Sequence, residues 1–423
     1  MSPAIKCLIL LAVTAVFFIT EIIPLAVTSM AAAIACGALG FIPTKQVFSG
    51  LSNSTVVLFG GMFVVGAAMF YTGLAQAIGN KVVALCGKGE NSLMFGLMLV
   101  GTLLSAVLSN TGTAACLLPV ALGICSSANI PASKQLMPLA FACGWGGIIT
   151  LVGTPPNIIA SGALGAAGLG SFGFFEWAWI GIPCSAAGMV YMMFLGKYML
   201  PTEKLDADQE IEQEVEATSS DPKKMAVAGA ILACVVLVMA IAPKGFSLEM
   251  AAVTGALVCV LTGCLTEKQA YASIDWVTIF LFAGMMPVSS ALSKTGAGKL
   301  IADTVVEAMG VPSPLVLTGC LFALSCILTQ FMSNTASAAL LCPIGIAIAQ
   351  KLGADPKAVL VAIAVAASCA FATPVGTPPN TLVLGPGKYK FMDYVKAGTG
   401  LVLVCFVVSL VVIPMVWPFF PGK

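Results

Sequence analysis

The sequence predicts an all-α polytopic membrane protein of two inverted repeats, each with about five transmembrane helices, one re-entrant helical hairpin and one broken helix. Three observations carry this. Hydrophobic residues make up 59% of the 423 and charged residues 9%, a balance that no water-facing surface has. The apolar residues fall in runs of about 17 to 25, the length that crosses a hydrocarbon core of ~30 Å. Finally, three short motifs occur twice, at a nearly constant separation.

The first repeat, 1–200, has apolar runs at about 5–20, 22–42, 54–78, 92–126, 136–165 and 174–200. Lys6 followed by Cys7 to Ile19 has the outline of a signal peptide, but no soluble domain follows and 226–242 repeat the pattern, so it reads as a first membrane helix. The run 92–126 is too long for one crossing and carries Ser109-Asn110-Thr111 at its middle. An arm from Ser92 to Leu108 rises ~25 Å, enough to bring that tripeptide to membrane depth and return. The run 136–165 is broken by Gly153-Thr154-Pro155-Pro156-Asn157. An acidic stretch, 201–224, forms the linker. The second repeat, 225–423, has a hairpin at about 313–350 and a broken helix at about 357–387.

The halves match in register as well as in order. Phe59-Gly60-Gly61-Met62-Phe63 answers to Phe282-Ala283-Gly284-Met285-Met286 at an offset of 223, and Ser109-Asn110-Thr111 to Ser333-Asn334-Thr335 at 224. Gly153-Thr154-Pro155-Pro156-Asn157 answers to Gly376-Thr377-Pro378-Pro379-Asn380, again at 223. An odd number of crossings per half turns the second repeat upside down relative to the first. In the first half, seven lysines fall on the linker side against Lys6 and Lys45 on the other. The linker is therefore expected in the cytoplasm, with both termini outside an inner (plasma) membrane.

Composition excludes much chemistry. All 19 basic residues are lysine, and there is no histidine. Histidine triads, His-ligated zinc and the bidentate arginine clamp for carboxylates are therefore ruled out. A net charge of +1 without a basic stripe leaves nucleic acid no surface to bind. The 15 cysteines are scattered singly and form no C-x-x-C pair, as apolar core thiols do. Gly168-Leu169-Gly170-Ser171-Phe172-Gly173 fits a G-x-G-x-x-G pattern but lacks the β-α-β setting of a nucleotide site. No enzymatic constellation of titratable groups converges at membrane depth.

What remains is the four breaks. Irregular backbone inside a bilayer survives only where it is buried or lines a cavity. Each break brings a hydroxyl and a carboxamide to that depth, and the helix N-termini that follow favour an anion. Carbonyl and hydroxyl oxygens are hard ligands for a small hard cation. A dianion bound without arginine would be neutralised by such cations, since opposite charges ~4 Å apart gain on the order of 4 kcal/mol at intermediate dielectric.

At these residues the chain resembles the divalent anion:sodium symporter family of the ion-transporter superfamily. The resemblance rests on Thr20-Glu21-Ile22-Ile23-Pro24, both Ser-Asn-Thr tips and both Thr-Pro-Pro-Asn breaks. It implies a homodimer with a fixed scaffold and a moving transport domain, in which an elevator motion carries a C4-dicarboxylate across with sodium as the coupling ion. It places sodium at Ser105, Ser109, Asn110 and Gly153 in the first half and at Thr329, Met332, Asn334 and Gly376 in the second. Substrate is expected at Ser109, Asn110, Thr111, Ser333, Asn334 and Thr335, with Thr377 and Pro378 beside it. Some relatives exchange dicarboxylates without sodium, others carry sulfate, citrate or arsenite, and an anion channel is the reading from another class.

Overall fold

In a computed structural model, the described residues are 1–86, 89–202, 221–243, 245–309 and 313–421, so most of the linker expected at 201–224 lies outside them. Every regular element among them is helical. The first half runs α1 (Pro3–Thr20), α2 (Leu25–Ala38), α3 (Ser54–Tyr71), α4 (Leu74–Cys86), the hairpin arms α5 (Glu90–Ser105) and α6 (Asn110–Ala128), α7 (Leu136–Gly146), α8 (Pro155–Ala166) and α9 (Ala178–Phe194). The second runs α10 (Pro222–Ile241), α11 (Leu248–Leu261), the short α12 (Glu267–Ala272), α13 (Trp276–Thr295), α14 (Ala297–Met309), the hairpin arms α15 (Pro314–Thr329) and α16 (Asn334–Lys351), α17 (Pro356–Ala367), α18 (Pro378–Leu384) and α19 (Phe391–Val416).

Helix α6 begins directly after Ser109 and α16 directly after Ser333, and α8 and α18 each begin at a pair of prolines. The run expected at 54–78, however, ends at Tyr71, and a turn at Gly73 with φ 77° starts the separate helix α4. Its counterpart α14 follows Gly296, at φ 76°. Both helices alternate apolar residues with polar ones such as Gln76, Lys81, Asp303 and Glu307, so neither forms a long apolar run.

Burial shows what solvates each helix. Among the described residues, six helices are long and apolar enough to cross a membrane. On α19, Leu401, Cys405, Ser409 and Ile413 are buried while Leu403, Val407, Val411 and Met415 are exposed. That reverses a soluble helix: leucine and valine face outward, where lipid is the solvent. The residues of α7 and those of α17 from Ala358 onward are all buried, placing the arms that lead to the breaks at the centre.

The halves interlock. Helix α2 packs on α13 and α3 on α11. A Cβ built on Gly61 would lie 2.6 Å from the carbonyl carbon of Ala252, and one on Gly284 would lie 2.6 Å from that of Ser29. The positions correspond, 61 to 284 and 29 to 252, each pair 223 apart. One close helix crossing, possible only because glycine has no side chain, is therefore made twice. A second group of helices, built from the hairpins, the broken helices, α9 and α19, packs together and meets the first mainly through α13 against α8 and α16.

Candidate functional site

Each site is built where a hairpin tip meets the break of its own half. Ser109 ends the turn before α6, and its Oγ accepts the Gly112 N–H at 3.1 Å; Ser333 does the same for Ala336 N–H on α16, at 3.1 Å. Among the described residues, these caps leave the N–H groups of Asn110, Thr111, Asn334 and Thr335 without a hydrogen-bond acceptor. The breaks offer fewer donors than expected. The first two residues of α8 and α18 are prolines, which lack an N–H, and the N–H groups of Asn157 and Asn380 go to the Thr154 and Thr377 carbonyls at 3.2 and 3.1 Å. Backbone donors for an anion therefore come from the tips.

Behind each tip lies a cluster of oxygens. The Ser105 hydroxyl donates to Cys143 O at 2.7 Å. The Asn110 carboxamide lies 2.6 Å from Ser105 Oγ and 3.1 Å from both Cys143 O and Gly153 O. In the second half, Thr329 donates to Ala367 O at 2.7 Å. There the Asn334 carboxamide lies 2.7 Å from Thr329 Oγ1, 3.0 Å from Ala367 O and 3.2 Å from Gly376 O. The correspondence is atom for atom. Glycine is required at Gly153, where a Cβ would lie 2.5 Å from Gly147 O and 2.9 Å from Ala106 O.

The last residue of each Thr-Pro-Pro-Asn motif holds its break in shape. Asn157 Nδ2 donates to Thr150 O at 2.8 Å, and Asn380 Nδ2 donates to Thr373 O at 2.9 Å and Ala370 O at 2.8 Å. Thr150 and Thr373 in turn donate to the carbonyls of Ala106 and Gln330, at 2.5 and 2.7 Å, tying break to tip. Freed backbone groups are thus satisfied inside the protein, as a bilayer demands.

A cavity of about 1360 Å³ lies between the two tips. All eight predicted substrate residues line it: Ser109, Asn110, Thr111, Ser333, Asn334, Thr335, Thr377 and Pro378, together with Gly153 and Gly376. Ser105, Thr329 and Met332 are buried behind the wall. Met332 brings no oxygen in its side chain. Thr154 is also among the residues lining the cavity, and its buried Oγ1 has no hydrogen-bond partner among the described residues. Sequence reasoning passed over it, although the 223 offset from Thr377 points to it. Also missed were the wall residues on the helices outside the tips and breaks: Gln76, Gln269, Thr278, Asp275 and Lys224. Among the described residues, Lys224 and Asp275 are the only charged groups on the wall. The cavity extends to Lys224 at the start of α10, which is the face that the linker joins.

Small uncharged polar groups around a large central cavity, reached by paired broken helices, define a membrane transporter. The chain belongs to the citrate transporter family, whose profile matches residues 15–341 and 327–421, and it is a multi-pass plasma-membrane protein. An uncharacterized transporter of Haemophilus influenzae is 34% identical, over 97% of this chain and 91% of its own. The sodium-dependent dicarboxylate transporter SdcS of Staphylococcus saprophyticus is 26% identical, over 98% and 86%. In fold, the chain is similar to the YdaH transporter of Alcanivorax borkumensis, with a TM-score of 0.67 at 16% identity over 98% of both chains.

Proposed function

We propose that this protein is a secondary active transporter of C4-dicarboxylates, of the succinate, malate or fumarate type, coupled to sodium. The carrying observation is the pair of oxygen clusters behind Asn110 and Asn334, one on each side of a cavity that has no arginine or histidine to bind an anion. Hydroxyl, carboxamide and carbonyl oxygens are ligands for a hard cation rather than for a carboxylate. The anion is then received by the tip N–H groups, by Thr111, Thr335, Thr154 and Thr377, and by the field of the cations. A sodium-dependent relative at 26% identity supports the reading.

In this reading the hairpins, broken helices, α9 and α19 move as one transport domain against the interlocked α2, α3, α11 and α13, in an elevator motion. The protein works as a homodimer joined through the fixed part. The clusters contain no titratable side chain, so protons have no carrier there.

Uptake of radiolabelled succinate into proteoliposomes tests this. Accumulation that requires external sodium and is lost in Asn110→Ala or Asn334→Ala is the expected result. Uptake that requires only internal succinate would instead identify a sodium-independent exchanger. Citrate uptake without succinate uptake would move the substrate to the tricarboxylate of the family's description, for which the cavity has room. Sulfate and arsenite complete the panel.

A further inference from the structure

Two cavities open on opposite faces of the protein. The large one reaches Lys224 at the start of α10, and a second, of about 460 Å³, is lined by Ala242, Phe246 and Ser247 beyond the other end of that helix. With 20 residues, α10 rises ~30 Å, the thickness of a hydrocarbon core. Helix α3 spans the same distance in reverse: Ser54 and Thr55 at its start line the second cavity, while Phe70 and Tyr71 at its end line the first. The second cavity therefore faces the side of the membrane opposite the linker.

One face of α8 joins them. Pro155 lines the large cavity, Gly162 and Gly165 line the second, and Ile158 is the one residue, among those described, common to both walls. Steps of three, four and three residues keep these positions on one stripe of a helix, and from Pro155 to Gly162 that stripe rises only ~10 Å. Opposite it, Phe59 on α3 lines the large cavity and its neighbour Leu58 lines the second. Phe282 on α13 completes the contact. Its ring lies 6.1 Å from that of Phe59 in an edge-on pair, and it fills the space that a side chain at position 162 would need. Ile158 is 1% exposed, and Phe59 and Phe282 are 3% exposed. None of these four side chains has a polar atom, so an ion in the gap between them would give up its water and gain nothing in return.

We propose that Ile158 is the seal of a latent ion-conducting path, with Leu58, Phe59 and Phe282 as its seat and the second cavity as its far mouth. The path follows the seam between the two groups of helices, since α8 belongs to one and α3 and α13 to the other. It is an activity apart from carrier turnover, needing neither a dicarboxylate nor the oxygen clusters behind the tips. Wild-type protein holds it shut with one branched side chain from α8. Shortening that side chain removes the atoms that the two walls share and joins the cavities.

Passive efflux of radioactive sodium and chloride from proteoliposomes, without any dicarboxylate, tests this. Wild type should hold both ions nearly as well as protein-free vesicles, and Ile158→Ala should release at least one of them about tenfold faster. The control is Ile159→Ala. Ile159 is buried to the same 1% and lines neither cavity among the described residues, so this variant loses the same atoms from the same helix and should stay tight. A folded, monodisperse Ile158→Ala that leaks no faster than wild type overturns the seal, and so does an equal leak from both variants. The opposed mouths are tested without touching the plug. Ser54→Cys and Thr266→Cys put an exposed thiol in the second and the first cavity respectively. A membrane-impermeant thiol reagent, with the modified peptides read by mass spectrometry, should reach one of them in intact cells and the other in inverted vesicles. Labelling of both from the same side refutes the path. A wild type that takes up no succinate would sink the dicarboxylate reading and leave the seal standing.

Discussion

The two half-sites present the same oxygens but support them differently. In the first half, glycines allow close approach: Gly146 lies against the Thr102 backbone and Gly147 against the Asn110 side chain. The second half has Cys369 and Ala370 at those positions and Gln330 where the first has Ala106. Gln330 Nε2 donates to Cys326 O at 2.9 Å and to Cys369 O at 3.0 Å, and its Oε1 accepts Ala372 N–H at 3.0 Å. One buried carboxamide thus cross-links hairpin, broken helix and break. The ligand atoms are repeated while the scaffolding is not, so the chemistry of the site resides in the oxygens and the packing behind them is free to differ.

The harshest test of that equivalence is removal of either carboxamide. Asn110→Ala and Asn334→Ala should each bring uptake to background, because each removes the side chain that joins its cluster and leaves Gly153 O or Gly376 O without its carboxamide partner, at ~1–3 kcal/mol for an unpaired buried group. A variant that kept substantial sodium-dependent uptake would break the symmetry of function. A sharper contrast comes from a single methyl group. Gly147→Ala would press a Cβ to 2.5 Å from the Asn110 carboxamide and should lower uptake severalfold or more. The reciprocal Ala370→Gly only loosens the chain, at about 0.5–1 kcal/mol, and should leave most activity. Equal effects in flux assays would show that the two backbones are not differently constrained.

Gln330→Ala should lower the melting temperature, because about 1–3 kcal/mol of buried hydrogen bonding is lost, and should weaken the second cluster without touching the first. Melting curves with and without sodium check this. The smallest effect is expected at Lys224, the only cation among the described residues of the wall. Lys224→Gln should slow dicarboxylate entry from the linker side a few-fold at low salt and not at high salt, since screening removes steering between exposed charges. Flux at two ionic strengths measures it, with the exposed neighbour Lys223→Gln as control.

The parts of this architecture legible in the residues are those written in local chain chemistry. Ser109 and Ser333 announce helix starts in the middle of apolar runs, where they cap α6 and α16, and the double prolines announce the starts of α8 and α18. Helices α4 and α14 escaped because their signal is amphipathic rather than a long apolar run. Gln330, Gln269 and Asp275 escaped for another reason. Their importance comes from what the fold brings opposite them, and nothing in their neighbours along the chain records it. Thr154 lies between these cases: the repeat register points to it, but only the fold shows that it lines the cavity with its buried hydroxyl unpaired.

The reciprocal crossings of α2 with α13 and α3 with α11 also set a timetable for biogenesis. The first half reaches the membrane before its partners exist, with the face around Ser29 and Gly61 turned to lipid until 191 further residues (61 to 252) and 255 further residues (29 to 284) have been made. Neither half can finish its own core, so insertion and folding separate in time, and a truncated first half emerges as an inserted but unassembled set of helices that quality-control proteases can recognise.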